Sequence, residues 1–387
     1  MFTAGKAARP EHSPPSALLR SDAKDTSLSA GYEISGPPCR GTERINSMNP
    51  YAVYLSDGYG GDGAAQIRRV YGPATRNALA GRLSIDDRVY MSTDLGCPEL
   101  RRAELVFSTW GMPTLSEAEI RRYMPELKVL FYGAGSVQAF ARPLLGSGVR
   151  IVSAWAANAV PVAEFTFAQI ILANKGYFQS AALFKAWGNG PSRAFSAEFP
   201  GTFGCTVGII GAGMVGRRVI EMLHACGARV KVLVYDPFLP DAKAAELGVQ
   251  KCTLEELFEH SRTISNHLAN NAQTKAMLGY ALFSRMGPYA TFINTGRGAQ
   301  VAEADLARAL CEFPGRTALL DVTEPEPPVA GHEFYTLPNV FLTGHIAGAM
   351  GDEPHRMGEY MLEELDRYLR GERLQYEVTG EMLATMA

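Results

Sequence analysis

Short apolar runs rich in β-branched and aromatic residues alternate along the chain with amphipathic stretches. The strand-like runs form a first series at residues 52–55, 105–109, 129–132 and 151–153, and a second at residues 206–210, 230–235, 263–265, 291–294, 318–322 and 340–343. Helical periodicity marks residues 116–123, 160–175 and 352–370. Strands that alternate with helices form right-handed βαβ units and a parallel sheet. The pattern therefore predicts two α/β domains, each built on a parallel sheet, with a cleft between them.

Residues 1–47 show neither helical nor strand periodicity and are rich in Pro, Ser, Gly and Ala. Such a segment cannot bury enough apolar surface to offset its chain entropy. We expect a disordered leader with no part in catalysis, since an internal methionine, Met48, directly precedes the first strand-like run. A transit peptide is the weaker alternative because the segment contains several acidic residues.

Composition and charge narrow the functional classes. The 387 residues include 37 Lys and Arg against 40 Asp and Glu, and the net charge of −3 gives no reason to expect nucleic acid or a membrane as partner. The six cysteines form no C-x-x-C pair, and no cysteine/histidine cluster has metal-ligand spacing. We expect a reducing, cytoplasmic location and no metal site.

A glycine motif gives the strongest local signal. Gly211, Gly213 and Gly216 form G-x-G-x-x-G between an apolar strand and an amphipathic helix. This arrangement lets the backbone approach a pyrophosphate at the helix N-terminus. Asp236 closes the next strand, where a carboxylate binds the ribose 2′-OH and repels the phosphate of NADP. The motif indicates NAD as cofactor, the alternative being a glycine-rich turn of another α/β protein.

Three polar segments follow predicted strands in the same half, where open α/β sheets bind ligands. They contain Arg297, a carboxylate at Glu326 or Glu324, and His345. A guanidinium can hold a substrate carboxylate in a bidentate fork and polarise the adjacent carbonyl. An imidazole beside a carboxylate can protonate the carbonyl oxygen. A lone histidine is more often structural, but the three together indicate reduction of a 2-keto acid.

From about Leu127 to the C-terminal helix, the sequence resembles the D-isomer-specific 2-hydroxyacid dehydrogenases. The motifs that carry the resemblance are the turn at residues 133–137, the segment 158–164, the glycine motif with Asp236, the segment 294–298, the Asp-Val-x-x-x-Glu-Pro segment 321–327 and the Leu-Thr-x-His-Ile segment 342–346. The resemblance implies an NAD-dependent dehydrogenase with Arg297, Glu326 and His345 as catalytic residues. Glu326 is preferred to Glu324 on its spacing from Asp321.

The resemblance also implies binding residues and an architecture. The residues expected to bind the cofactor are Gly211, Gly213, Met214, Val215, Gly216, Asp236, Thr295, Asp321, Val162 and His267, with Asp321 at the nicotinamide carboxamide. Those expected to bind substrate are Gly135, Ser136, Trp110 and Arg297, the first two in a loop whose backbone N–H groups hold the carboxylate. Residues 48–156 and the C-terminal helix segment 346–387 would form a substrate domain, and residues 157–345 an inserted NAD-binding domain, both Rossmann/flavodoxin-like. A homodimer through the NAD-binding domain is expected, with residues 177–203 as its arm.

The sequence departs from the family pattern at three places. Gly344 replaces the proline that usually precedes the acid/base histidine, and Ala269 replaces the proline of a His-x-Pro segment that begins at His267. Ser108 to Pro113 replaces an Arg-Ser pair early in the substrate domain, so Trp110 is either a wall of the substrate pocket or an ordinary core residue.

Other functions of the same fold stay open. A dinucleotide-sensing scaffold, like the co-repressors that share this fold, can retain the arginine–glutamate–histidine set, although no basic patch favours it. A formate dehydrogenase is disfavoured by Glu326. No regulatory domain follows the last predicted helix, which argues against the phosphoglycerate enzymes that have one. Fold analogy does not fix the 2-keto acid, which ranges from glyoxylate to bulky aromatic acids.

Overall fold

The structure is a computed structural model that describes residues 49–384, so the predicted leader lies outside the described residues. The strands, in chain order, are β1 (Ala52–Leu55), β2 (Val89–Tyr90), β3 (Leu105–Ser108), β4 (Val129–Tyr132), β5 (Arg150–Ser153), β6 (Thr206–Ile210), β7 (Lys231–Tyr235), β8 (Gln250–Lys251), β9 (Thr263–Asn266), β10 (Thr291–Asn294), β11 (Thr317–Leu320), β12 (Val340–Leu342) and β13 (Glu377–Val378). Every strand predicted from the sequence is present, with bounds that differ by at most two residues.

The helices fill the connections between these strands. In chain order they are α1 (Gly63–Val70), α2 (Pro73–Ala80), α3 (Pro98–Arg102), α4 (Glu117–Tyr123), α5 (Ala141–Gly146), α6 (Trp155–Asn174), α7 (Tyr177–Trp187), α8 (Asn189–Phe195), α9 (Met214–Ala225), α10 (Asp241–Glu246), α11 (Leu254–His260), α12 (Tyr280–Phe283), α13 (Glu303–Glu312) and α14 (Pro354–Leu369). Short 3₁₀ turns lie at Ser92–Asp94, Ser196–Glu198, Gly298–Gln300, Glu333–Tyr335 and Met382–Ala384.

Within residues 49–384 the strands form two sheets, and the first has the order β13-β5-β4-β3-β1-β2. All neighbours in it are parallel except β13, which pairs antiparallel with β5 at the edge. Counted from its own first strand, the order is 2-1-3-4-5, which is that of flavodoxin-like sheets. The chain thus returns to this sheet after α14 to add its last strand.

The second sheet has the order β12-β11-β10-β9-β6-β7-β8, and all of its pairs are parallel. The order reverses on either side of β6, the strand that precedes the glycine motif. This is the doubly wound Rossmann arrangement, in which ligands bind beyond the carboxyl ends of the strands at the point of reversal. The predicted fold class, two parallel-sheet α/β units of Rossmann and flavodoxin type, is confirmed.

Burial distinguishes the central strands from the edge strands. Strands β3, β4, β9, β10 and β11 are buried at every residue, since helices cover both faces of each sheet. The edge strands β2 and β8 have only two residues each, and their polar or half-buried side chains give no strand signal in the sequence.

Helix α6 leads from the first sheet to the second. It begins directly after β5, five residues before the predicted start at Val160, because Trp155–Ala159 is already helical and Pro161 lies within the first two turns. By length and composition this helix could cross a membrane. Its buried face, however, includes Ala163 and Ile170 of the hydrophobic cluster around β6, which is the packing of a core helix.

Candidate active site

The glycine motif forms the turn between β6 and α9. Gly211 has φ +89°, and a Cβ added there would lie 2.7 Å from the carbonyl oxygen of His267. A Cβ at Gly216 would collide with the carbonyl oxygen of Gly211. By contrast, a Cβ at Gly213 would meet nothing within 4 Å, and both Gly213 and Met214 are exposed at the start of the helix. The first and third glycines thus permit close packing, while the second leaves an open face at the helix N-terminus, which fits a pyrophosphate.

Asp236 follows β7 beside this turn. Its carboxylate accepts hydrogen bonds from the backbone N–H of Ala212 and of Phe238, both at 2.8 Å. The carboxylate is therefore fixed next to the open face at Gly213, with acceptor sites left for hydroxyl donors. A groove between Tyr235 and residues 251–256 adjoins it beyond the ends of β7 and β8. The chain's residues here match what the adenosine half of a dinucleotide requires.

An amide network positions Arg297 after β10. The Asn266 side chain donates to Asn294 Oδ1 at 3.0 Å and to Gln300 Oε1 at 2.6 Å, and Asn294 Nδ2 donates to the carbonyl oxygen of Arg297 at 3.1 Å. Arg297 Nη1 donates to the Gly296 carbonyl oxygen at 2.7 Å. Burial lowers the pKa of the Arg297 guanidinium, and the Glu326 carboxylate opposes this shift. These hydrogen bonds fix the loop after β10. They place the Arg297 guanidinium at the carboxyl edge of the second sheet, with N–H donors that are not fully paired.

Sequence reasoning missed this network. Asn266 and Gln300 are fully buried, and neither was predicted as a site residue. One signal was available, because Asn266 and Asn294 each occupy the last position of a buried strand. Polar residues at that position of a parallel sheet face the ligand edge.

His345 and Glu326 are in contact, with 2.8 Å between Nδ1 and Oε1. Their side chains are about half exposed, 47% for His345 and 41% for Glu326. At Glu324, the alternative candidate, the backbone N–H donates to Glu303 Oε1. His345 has φ +56°, a left-handed conformation that is uncommon for residues other than glycine. The imidazole is thus presented to the cleft from a tight turn, with Nδ1 committed to Glu326 and Nε2 free to face a substrate.

Asp321 organises the turn that carries His345. Its carboxylate, 2% exposed, accepts from Thr343 Oγ1 at 2.6 Å and from the backbone N–H groups of Ile346 and Ala347, both at 2.9 Å. Its backbone carbonyl oxygen accepts the His345 N–H at 3.0 Å. Four donors of residues 343–347 therefore converge on one residue at the end of β11. This role was not anticipated from the sequence, which assigned Asp321 to the cofactor alone.

The predicted substrate loop follows β4. Ser153 Oγ bonds to the carbonyl oxygens of Ala134 and Gly135 at 2.9 and 2.7 Å, which leaves the exposed Ser136 at the rim. Asn158, in the first turn of α6, lies against Gly135 on one side and faces Gly348 on the other. The structure thus brings the loop of the first sheet close to the segment that follows His345.

The remaining predicted residues lie around this cleft. Thr295 is buried, with its hydroxyl 3.0 Å from that of Thr166 on α6, the helix that also contains the half-buried Val162. His267 Nε2 lies 2.9 Å from Ser265 Oγ, and burial lowers the pKa of its imidazole to about 4. Trp110 is half-buried at the end of β3. Among residues 49–384, no three His, Cys, Asp or Glu side chains are grouped to hold a metal ion.

Comparison with known proteins relates this geometry to one family. Residues 172–347 match the model of the D-isomer specific 2-hydroxyacid dehydrogenase, NAD binding domain. The chain is 29% identical over 264 residues to a D-3-phosphoglycerate dehydrogenase of Mycobacterium leprae, covering 67% of this chain and 48% of that protein. It is 29% identical over 263 residues to a glyoxylate reductase of Korarchaeum cryptofilum, covering 66% of this chain and 77% of that protein.

The solved structures extend the match to both sheets. An apo D-mandelate dehydrogenase of Rhodotorula graminis superposes with a TM-score of 0.69 at 20% identity, covering 86% of this chain and 98% of that one. At this identity the superposition shows a shared fold. The chain spans about half the length of the first curated relatives that it matches.

Proposed function

We propose that this chain, whose residues 172–347 match the NAD-binding domain of the D-isomer specific 2-hydroxyacid dehydrogenases, interconverts a 2-keto acid and its 2-hydroxy acid with NAD as cofactor. The observation that carries the proposal is the contact between His345 Nδ1 and Glu326 Oε1, with the half-buried Arg297 cation close enough for the Glu326 charge to act on it. Fold alone would not distinguish a reductase from a scaffold. A guanidinium, an acid/base imidazole and an orienting carboxylate together match the chemistry of keto-acid reduction.

The proposed mechanism assigns one task to each residue. When bound in the cleft, the cofactor NADH would supply the hydride. Arg297 holds the substrate carboxylate and polarises the carbonyl with its fork of N–H donors. His345 donates the Nε2 proton to the carbonyl oxygen, while Glu326 fixes the ring through Nδ1 and stabilises its charged form. Backbone N–H groups of Gly135 and Ser136 bind the other side of the carboxylate.

The cofactor residues have separate tasks. Gly211, Gly213 and Gly216, with the exposed first turn at Met214 and Val215, would hold the pyrophosphate. Asp236 would bind the ribose hydroxyls and exclude NADP. Asp321, Thr295, Val162 and His267 would enclose the nicotinamide end. The Asp321 carboxylate already accepts three hydrogen bonds, one from the Thr343 hydroxyl and two from backbone N–H groups, so its contribution there is chiefly to fix residues 343–347.

A homodimer in the cytoplasm, joined through residues 177–203, completes the proposal. Four large side chains of this segment are exposed, by 53% (Tyr177), 55% (Phe184), 74% (Trp187) and 69% (Phe203). Several exposed large apolar side chains in one segment favour a covered, subunit-facing arm. We also propose residues 48–156 with 346–387 as the substrate domain and residues 157–345 as the cofactor domain.

The test is NADH and NADPH oxidation with a panel of 2-keto acids, comparing wild type with His345→Asn. Asparagine tolerates the left-handed backbone of position 345, so the variant should fold. We expect NADH-dependent turnover that the variant loses by about 100-fold or more, the usual contribution of a general acid. Binding of NADH without turnover of any acid would contradict the proposal and favour a dinucleotide-sensing scaffold, and a preference for NADPH would contradict the role of Asp236.

A further inference from the structure

Helix α1 runs across the carboxyl edge of the first sheet. At its start, a Cβ on Gly63 would collide with the carbonyl oxygen of Ser56, directly after β1. At its end, Val70 Cγ1 would lie 2.6 Å from a Cβ on Gly133, directly after β4. The helix therefore spans from the end of β1 to the loop that we propose as the substrate carboxylate site.

Hydrogen bonds join the loops beneath this helix into one surface. Ser56 Oγ donates to the Trp110 carbonyl oxygen at 2.8 Å, and the Asp57 N–H donates to the Gly111 carbonyl oxygen at 2.8 Å. Thr109 Oγ1 donates to the Gly133 carbonyl oxygen at 2.9 Å. The loops after β1, β3 and β4 are thus fixed to each other, so side chains on them share one wall of the cleft.

Three side chains on this wall are not explained by the proposed reaction. The Arg69 guanidinium lies over the Trp110 ring, 5.9 Å from its centroid. Trp110 packs on both hydrophobic clusters of the first sheet, as a residue at the edge between the two faces does. Tyr59 is 68% exposed and follows Gly58, whose backbone would collide with a Cβ on Gly111, the residue after Trp110. The Arg69 charge opposes a rise in the pKa of the Tyr59 phenol that partial burial causes.

Arg69 is exposed, and within residues 49–384 no carboxylate lies within ion-pair distance of it. Other arginines of the first sheet do pair with acids, as Arg150 does with Glu377 and Arg82 with Asp366. A guanidinium held against an aromatic ring is oriented without being neutralised. It can therefore bind a carboxylate or a phosphate in bidentate fashion.

We propose that Arg69, Trp110 and Tyr59 form a second anion subsite, and that the substrate is a 2-keto or 2-hydroxy acid with a second acidic group at its far end. The proposal rests on the proposed function, which places the reacting carboxylate at Arg297 and the Gly135–Ser136 loop. Arg69 binds the distal anion, Trp110 carries the guanidinium and covers the carbon chain, and the Tyr59 hydroxyl adds a hydrogen-bond donor.

The experiment compares acids that differ only in the distal anion. The pairs are 2-oxoglutarate with 2-oxopentanoate, and phosphohydroxypyruvate with hydroxypyruvate. For each acid, kcat/KM with NADH is measured for wild type, Arg69→Gln and a matched control, Arg68→Gln, which changes the preceding exposed arginine of the same helix. Binding of each acid to the enzyme–NADH complex is measured in parallel by calorimetry.

We expect the wild type to prefer the member of at least one pair that has the second anion, and the pair concerned distinguishes a carboxylate from a phosphate. Arg69→Gln should lower kcat/KM for that acid by about 10- to 100-fold, as for loss of a charged hydrogen bond, and change kcat/KM for the partner without the distal anion by less than about 2-fold. Arg68→Gln should leave both values unchanged.

Equal loss in the two arginine variants would overturn the subsite, because a diffuse positive field would then explain the preference. Preference for the members without the distal anion would overturn it as well and indicate an apolar wall at Trp110. If calorimetry shows Arg69-dependent binding of a two-anion acid that is never reduced, the subsite stands and the proposed reaction fails. If neither turnover nor Arg69-dependent binding is seen, both proposals fail.

Discussion

Glu324 and Glu326 are two residues apart, and only one of them meets the imidazole. The Glu326 carboxylate lies 2.8 Å from His345 Nδ1. Glu326→Gln keeps the size of the side chain but removes the charge that fixes and supports the ring. We expect kcat/KM for the keto acid to fall about 10- to 100-fold, as for other residues that orient a functional histidine. The matched control is Glu324→Gln at an exposed position, and an equal loss in both variants would contradict the assignment.

His267 gives a prediction about stability. Burial lowers the pKa of its imidazole from the usual 6.5 to about 4, so the folded protein resists a proton that the unfolded chain accepts. The free energy of unfolding should therefore fall as pH decreases from 6.5 to 4, with a slope from this group of at most about 1.4 kcal/mol per pH unit. In urea titrations across this range, His267→Gln should show a weaker pH dependence than wild type. The exposed His260, changed to Gln, serves as control and should leave the slope unchanged.

In the turn between β6 and α9, one glycine is needed for cofactor binding and another for folding. A methyl group at Gly213 meets nothing within 4 Å, whereas one at Gly216 collides with the Gly211 carbonyl oxygen. Gly213→Ala should preserve the melting temperature and weaken NADH binding, because the methyl group occupies the approach to the pyrophosphate. Gly216→Ala should destabilise the protein by about 1 to 3 kcal/mol, the cost of overpacking. Thermal melts and NADH titrations of both variants test this, and intact NADH affinity in Gly213→Ala would contradict the cofactor pose.

Strands and helices could be predicted from the sequence where buried residues recur at a regular period. They could not be predicted where only an element's place in the sheet determines its structure. Strands β4, β6 and β10 have the predicted bounds, because helices cover both of their faces and every residue except Thr206, at the start of β6, is buried. The early start of α6 and the short edge strands escaped prediction, since a helix with an internal proline and two-residue strands leave no periodic signal.

The site shows the same limit. Arg297, Glu326 and His345 could be chosen from spacing and resemblance, and the structure brings Glu326 to His345. Arg69 and Tyr59 could not be chosen, because nothing in the sequence indicates that α1 crosses the edge of the sheet. The contact of Arg69 with Trp110, and of the loop before Tyr59 with the loop after Trp110, is a property of the tertiary fold.

The exposed arm yields a prediction for the whole molecule. Trp187 is 74% exposed and Phe184 is 55% exposed on α7, which suits a surface covered by a second copy of the chain. Replacing both with glutamate should convert the proposed dimer to monomer in light scattering at micromolar concentration, with the far-UV circular dichroism unchanged. A control with Lys185→Glu adds charge to the same helix without removing apolar area. A wild-type monomer, or a dimer that survives the double change, would contradict the proposed arm.

The left-handed backbone at His345 has a consequence for how damage to this protein would be noticed. A non-glycine residue at φ +56° costs the native state roughly 1 to 2 kcal/mol. Asparagine or glycine at this position relieves part of that cost while removing the imidazole. Variants with no acid/base group would thus be produced in normal amounts and melt no lower than wild type. Screens based on abundance or solubility would not distinguish these variants from wild type, and only a turnover assay would identify the loss of activity.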